Sequence, residues 1–145
     1  MDALMTLRSD HQRIREMFDQ MRRIEALDAK RELFERIKDE LDFHCHLEET
    51  ILYPALNGAE FRDLLEEFYD EHQEITDILE EIDESDDEEA AMFEDDMDEL
   101  MDCVEFHISR EESELFAEVL RVLDGPRLAQ LAAALEDSRE KLAVA

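Results

Sequence analysis

Glycine and proline each occur only twice in this sequence of 145 residues, and tryptophan is absent. Tight hairpin turns need glycine, so this shortage argues against a sheet and favours helices. No apolar run approaches the length of a membrane-spanning helix, and the N-terminus has an acid at position 2 and no signal-peptide pattern. The two cysteines, Cys45 and Cys103, have neither zinc-finger nor dithiol redox spacing. These absences predict a cytoplasmic protein with reduced thiols.

Positive charge is also scarce. Lysine is found only at Lys30, Lys38 and Lys141, and the formal net charge is −29. Such a surface repels nucleic-acid phosphates and anionic lipid headgroups. We therefore predict that the protein binds neither nucleic acid nor membranes. No motif for a protein partner is evident, and small molecules are the expected partners.

The residues that are present favour amphipathic helices, because 44% are hydrophobic, 41% are charged, and the apolar ones recur at helical spacing. We predict one all-α domain, 1–145: an antiparallel up-down-up-down four-helix bundle over about 3–122, then an additional short C-terminal helix over about 126–143. The bundle helices are expected at about Ala3–Leu27, at Lys30–Tyr53, from Ala59 onward, and in a fourth segment that ends before Asp124. A polar connection at Glu84–Asp87, with serine and aspartate available as caps, should precede the fourth helix.

One sequence pattern occurs twice, 63 residues apart: His44, Glu48, Glu49, Leu52 and Tyr53 recur as His107, Glu111, Glu112, Leu115 and Phe116. A shorter pattern precedes each copy, since Asp10-His11 resembles Glu71-His72 at an offset of 61 residues. A histidine and a glutamate four residues apart lie one above the other on a helix face, about 6 Å apart along the axis. The duplicated order indicates two helical hairpins.

Six polar side chains fall on the predicted buried seams: His11, His44, Glu48, His72, His107 and Glu111. Antiparallel helices should bring them into one layer of the core. The same seams have no lysine or arginine, and buried carboxylates are normally paired with a cation or coordinated to a metal. A polar layer satisfied by protonated histidines is the alternative, but the duplicated spacing favours metal. Mixed imidazole and carboxylate ligands suit iron or manganese better than one structural zinc.

These motifs resemble the hemerythrin-like family, also called the HHE cation-binding domain, over about Leu4–Val122. The similarity rests on Asp10-His11, H-x3-E-E-x2-L-Tyr-Pro at 44–54, Glu71-His72 and H-x3-E-E at 107–112. It implies a cofactor of two iron ions in an oxo- or hydroxo-bridged non-haem centre. By the same resemblance, Glu48 and Glu111 are the bridging carboxylates, His11 and His44 bind one iron, and His72 and His107 bind the other.

The chain departs from oxygen-carrying hemerythrins on the third helix, where those proteins have two histidines four residues apart. The position four before His72 is Phe68, and the lost ligand argues against reversible oxygen carriage. Tyr69 is predicted either to add a ligand or hydrogen bond at the site, or to pack as an aromatic with its hydroxyl at the edge. Tyr53 and Pro54 match the family motif and should end the second helix.

Several neighbouring residues are not predicted as ligands. His46 points about 160° away from His44 around the helix and should be exposed. Cys45 lies off the seam, and Cys103 is expected to be a small apolar core residue. Glu49 and Glu112 are expected to lie on a solvated helix face; the alternatives are that they orient ligands or add a terminal oxygen ligand.

We predict that the protein binds and reacts with dioxygen, hydrogen peroxide or nitric oxide. The sequence leaves three roles open: binding or sensing of such a molecule, catalase- or peroxidase-like turnover by the di-iron centre, and iron handling. It identifies no catalytic residue besides the metal ligands.

Overall fold

The computed structural model describes residues 2–85 and 90–144, and no strand occurs within these ranges. Its main helices are α1 (Ala3–Arg23), α2 (Leu27–Leu47), α3 (Arg62–Glu84), α4 (Ala90–Arg110), α5 (Phe116–Val122) and α6 (Gly125–Val144). Two π-helical turns, Glu48–Leu52 and Glu111–Leu115, extend α2 and join α4 to α5. Short 3-10 turns, Tyr53–Ala55 and Ala59–Phe61, connect the first π turn to α3. The predicted all-α bundle with a C-terminal helix is confirmed.

The helix boundaries follow from local chemistry. The Asp2 carboxylate caps α1 by accepting a hydrogen bond from the Met5 N–H at 2.8 Å. The chain then extends at Ile24 and at Ala26, so α1 ends earlier than predicted and α2 starts earlier. At the end of α3 the Ser85 hydroxyl donates to the Ile82 carbonyl at 2.8 Å. The rest of the predicted connection, positions 86–87, lies outside the described residues.

Helix α1 packs against α2 and α6, and α3 packs against α4 and α2. An ion pair between Arg15 and Glu105, at 2.7 Å, links α1 to α4. Two apolar clusters fill the interior. The lower cluster contains Ile14 and Val104, and the upper cluster contains Leu7 and Phe116. Along α1, His11 lies between Leu7 of the upper cluster and Ile14 of the lower cluster. From α4 to α5, His107 and Glu111 lie between Val104 of the lower cluster and Phe116 of the upper cluster. The polar layer therefore separates the two halves of the core.

The π turns alter which side chains face the core. The helical spacing that runs through His44 and Glu48 predicts that Ile51 and Ala55 continue the same buried stripe, but both are only partly buried. Leu52 and Tyr53 are buried in their place, at 0% and 1% exposure. The reason is that a π turn takes up an extra residue, with the Tyr53 N–H donating to the carbonyl of Glu48, and so rotates everything after it. That part of the predicted stripe is wrong.

Candidate metal centre

The six predicted seam residues meet in one buried layer, and each is at most 2% exposed. They form two groups that share both glutamates. We call the first subsite the group His11, His44, Glu48 and Glu111, and the second subsite the group Glu48, His72, His107 and Glu111. Within each group, one ligand atom per residue lies within 4.8 Å of all the others. Each group could hold a metal ion.

The two carboxylates connect the subsites. Glu111 Oε1 lies 3.1 Å from His11 Nε2, and its Oε2 lies 3.0 Å from His107 Nε2. One Glu111 oxygen therefore faces each subsite. Glu48 Oε1 contacts both sides through a single atom, at 3.3 Å from His44 Nε2 and 2.9 Å from His72 Nε2. This is the arrangement that carboxylates take when they bridge two ions.

Each histidine presents its other ring nitrogen, Nδ1, to a second carboxylate on a neighbouring helix. Three pairs lie at hydrogen-bond distance: His11 with Glu112 at 2.7 Å, His72 with Glu49 at 2.8 Å, and His107 with Glu71 at 2.8 Å. His44 faces Asp10 at 3.6 Å, which is ion-pair distance without a hydrogen bond. We call Asp10, Glu49, Glu71 and Glu112 the outer carboxylates. Each stands next to a layer residue in the sequence but pairs with a histidine of a different helix. Among the alternatives predicted for Glu49 and Glu112, these contacts favour ligand orientation.

This pairing shows what the layer lacks. A carboxylate at Nδ1 favours a proton on that nitrogen, which leaves a lone pair at Nε2 of a neutral imidazole. Yet Nε2 of His11 and Nε2 of His44 are 3.1 Å apart, and so are those of His72 and His107. The buried Glu48 Oε2 has no hydrogen-bond partner among the described residues. Lone pairs that converge on carboxylate oxygens need a cation between them, so the donor set fits metal ions.

The pKa values of the layer residues also indicate that the site favours positive charge. Burial alone would lower the pKa of His44, but Glu48 and Glu111 hold that pKa well above its usual range. Burial likewise opposes protonation of His72, whereas the Cys45 thiol and Glu48 raise its pKa to about 10. Burial and Glu48 would raise the pKa of Glu111, but His107 outweighs them and that pKa falls to about 2. Without metal, protons on His44, His72 and His107 supply positive charge that an ion would otherwise bring.

Tyr53 is a site residue that the sequence analysis missed. Its buried hydroxyl donates to Glu111 Oε2 at 2.8 Å and lies 3.1 Å from His72 Nε2. Burial, followed by the charges of Glu48 and Glu111, holds the pKa of Tyr53 well above its usual range, so it remains a phenol. The π turn brings the hydroxyl into the layer, because Tyr53 follows Glu48 by five residues, the spacing of a π-helical hydrogen bond. The aromatic position of the duplicated motif was the available signal.

Tyr69 lies at the periphery. It is 40% exposed and packs edge-on against Tyr53, with ring centroids 5.3 Å apart. The described residues show no hydrogen bond from its hydroxyl to the layer, which matches the packed-aromatic alternative. Phe68, at the position of the missing histidine, is fully buried and lies edge-on to His107 at 5.7 Å.

The other neighbours differ in their distance from the layer. His46 is exposed, as expected. Cys45 is partly buried and close enough to His72 for its thiol to raise the pKa of that histidine, a contact that the sequence did not suggest. Cys103 is also partly buried and lies beside the lower cluster, where its thiol donates to Glu74 at 3.5 Å.

A helical bundle that offers four imidazoles and two carboxylates to two adjoining sites is a metal-binding protein. Residues 2–119 match the family model for the hemerythrin HHE cation binding domain. The chain belongs to this family, and the resemblance predicted from the motifs is confirmed. In the described ranges no helix combines the length and the apolar character needed to cross a membrane.

A curated relative is a DNA nickase from Nostoc sp. (strain PCC 7120 / SAG 25.82 / UTEX 2576), which is 29% identical over 136 residues. The alignment covers 94% of this chain but only 38% of the relative. The chain thus spans well under half the length of that protein. No solved structure is a significant match to this chain.

Proposed function

We propose that His11, His44, Glu48, His72, His107 and Glu111 bind two iron ions, and that the protein is a cytoplasmic non-haem di-iron protein. It would bind and react with dioxygen, hydrogen peroxide or nitric oxide. The observation that carries the proposal is the pair of buried ligand groups sharing Glu48 and Glu111. Iron held by mixed imidazole and carboxylate ligands, with coordination positions left open, supplies redox chemistry with such molecules.

The residues around the layer have defined tasks in this proposal. The outer carboxylates hold each imidazole in one orientation and increase its basicity, as carboxylate partners of metal-bound histidines do. The apolar clusters on both sides keep bulk water out, which strengthens the electrostatic interactions inside the layer. The 0–2% exposure of the ligands limits access to molecules of a few atoms.

Tyr53 supports the enzymatic alternative, a catalase- or peroxidase-like activity. The Tyr53 hydroxyl lies 3.1 Å from His72 Nε2, so as a phenol it can donate a hydrogen bond to a small molecule held at the second subsite. Beside the first subsite the corresponding position is Phe116, which stacks on His11 at 6.0 Å and carries no hydroxyl. Turnover would therefore depend on the second subsite.

The relative's name raises DNA cleavage as a competing function, and two observations weigh against it for this chain. The net charge of −29 repels phosphates, and ligands that are at most 2% exposed cannot contact a phosphodiester without opening the bundle. We place no nucleic acid among the partners of this centre.

One experiment separates these roles. Protein expressed in iron-replete medium should contain about two iron ions per chain, and its visible spectrum should change with oxygen, peroxide or nitric oxide. An oxygen adduct that reverses under vacuum would indicate binding, whereas gas evolution from peroxide over many turnovers would indicate an enzyme. One tightly held zinc and no iron would refute the di-iron proposal. Nicking of supercoiled plasmid that disappears in Glu111→Ala would refute the small-molecule assignment.

A further inference from the structure

The C-terminal helix α6 carries an arginine that reaches the surroundings of the first subsite. Arg139 forms an ion pair with the buried carboxylate of Asp10, which also accepts a hydrogen bond from Arg13 at 2.7 Å. The other Asp10 oxygen lies 3.6 Å from His44 Nδ1. A continuous path of charged groups therefore links α6 to a layer histidine.

Arg139 contacts both helices that supply the histidines of this subsite. It pairs with Asp10 on α1, and its guanidinium lies 5.8 Å from the ring centre of Phe43 on α2. Leu131 and Leu135 dock α6 by packing into the upper apolar cluster, at 6% and 0% exposure. The position of Arg139 is thus set by the packing of its helix.

The second subsite is built differently. Its corresponding outer carboxylate, Glu71, pairs with Arg110, which lies at the end of α4 inside the duplicated bundle. The family match ends at residue 119, so Arg110 is within the matched region and Arg139 is outside it. Among the residues that the structure describes, only the first subsite has an outer carboxylate paired to the additional helix.

We propose that Arg139 is a positioning residue for the first subsite, and that docking of α6 sets the metal affinity of that subsite alone. A buried carboxylate with one oxygen held by arginines has its other oxygen fixed relative to His44. Loss of Arg139 leaves Asp10 held only by Arg13, three residues away on the same helix. His44 is then oriented less firmly, and such outer partners typically contribute about 10- to 100-fold in metal affinity.

The test uses the metal-free full chain titrated with Co²⁺, whose visible bands report coordination by nitrogen and oxygen ligands. In a His72→Ala background, which leaves the first subsite, Arg139→Gln should weaken Co²⁺ binding about tenfold. In a His44→Ala background, which leaves the second, the change should be less than about twofold. Arg139→Lys should recover most of the affinity, because it keeps the charge beside Asp10.

Two controls define the outcome. Lys141→Gln removes an exposed charge from the same helix and should change neither titration. Arg110→Gln should show the reverse selectivity and weaken only the second subsite. Equal losses in both backgrounds, or no loss in either, would overturn the role of Arg139. The inference depends on the proposed metal centre, and wild-type protein that binds no Co²⁺ would refute the centre itself rather than this role.

Discussion

The two subsites share a skeleton but have different surroundings. In both, two histidines point Nε2 at the shared glutamates and Nδ1 at outer carboxylates of neighbouring helices. The aromatic of the π turn is Phe116 beside the first subsite and Tyr53 beside the second. The Arg8 guanidinium lies 5.1 Å from the centre of the Phe116 ring. The Tyr69 ring instead packs edge-on against Tyr53, with centroids 5.3 Å apart.

The charges differ as well. Glu112, beside the first subsite, lies 4.0 Å from Arg8 and 3.8 Å from Arg15. For Glu49, its counterpart beside the second, the described residues provide no arginine or lysine within ion-pair distance. Both outer carboxylates of the first subsite therefore pair with arginines, whereas in the second only Glu71 pairs with one, Arg110, and a phenol and a thiol lie nearby. The two halves of the duplicated layer thus have the same ligand arrangement but different surrounding groups.

The largest effect should come from the shared glutamates. Glu111→Ala removes an oxygen from both subsites, so we expect both metal ions to bind more weakly, by more than the roughly 10- to 100-fold that loss of an outer partner costs. His44→Ala should impair only the first subsite, and His46→Ala neither. Metal content per chain after dialysis measures all three. Retention of one full equivalent in Glu111→Ala would show that the subsites are independent.

Exchanging the aromatics tests the asymmetry next. Tyr53→Phe removes a donor to a buried carboxylate, which should destabilise the metal-free protein by about 1.5–3 kcal/mol. It should keep the metal but lower peroxide turnover, if turnover occurs. Chemical denaturation and a peroxide assay report these effects.

Two further variants complete that exchange. Tyr69→Phe, at a partly exposed position outside the layer, should change stability by no more than about 0.5 kcal/mol. Phe116→Tyr in the Tyr53→Phe background should move the hydroxyl to the first subsite. Unchanged stability and turnover in Tyr53→Phe would make that tyrosine a packing residue.

The outer carboxylates should show a smaller difference. Glu49→Gln removes an uncompensated charge near His72, whereas the charge that Glu112→Gln removes is already shared with two arginines. We expect Glu49→Gln to weaken metal binding about tenfold and Glu112→Gln by less. Because Glu49 is 39% exposed, solvent screening keeps this at the low end of the range. Co²⁺ titration compares them, and equal losses would show that the arginines do not matter.

The last prediction concerns pH in the metal-free protein. Layer histidines with raised pKa values stabilise the fold fully below the unfolded value of 6.5, and this contribution is lost as the pH rises toward about 10, the pKa of His72. We expect the melting temperature of the metal-free protein to fall as the pH rises across this window. The metal-loaded protein should not show the loss, because metal displaces these protons. Identical pH profiles of both forms would contradict the proposed replacement of protons by metal.

Much of this protein could be predicted from sequence. Helical periodicity is local, and it predicts the helices, the all-α class and the seam positions. The six layer residues could be chosen because their spacing, such as that of His44 and Glu48, repeats the helical turn. The family resemblance rests on the same spacing and is confirmed by the match over residues 2–119.

Only the tertiary structure decided the rest. The helical spacing does not predict the π turn at Glu48–Leu52. That turn brings Tyr53, and not Tyr69, into the layer. Asp10 follows the periodicity of α1 but pairs with His44 on α2, because the rotation and axial shift between two helices depend on how their faces pack. Arg139 reaches Asp10 across 129 residues of chain. Such contacts join segments whose relative placement no local pattern encodes.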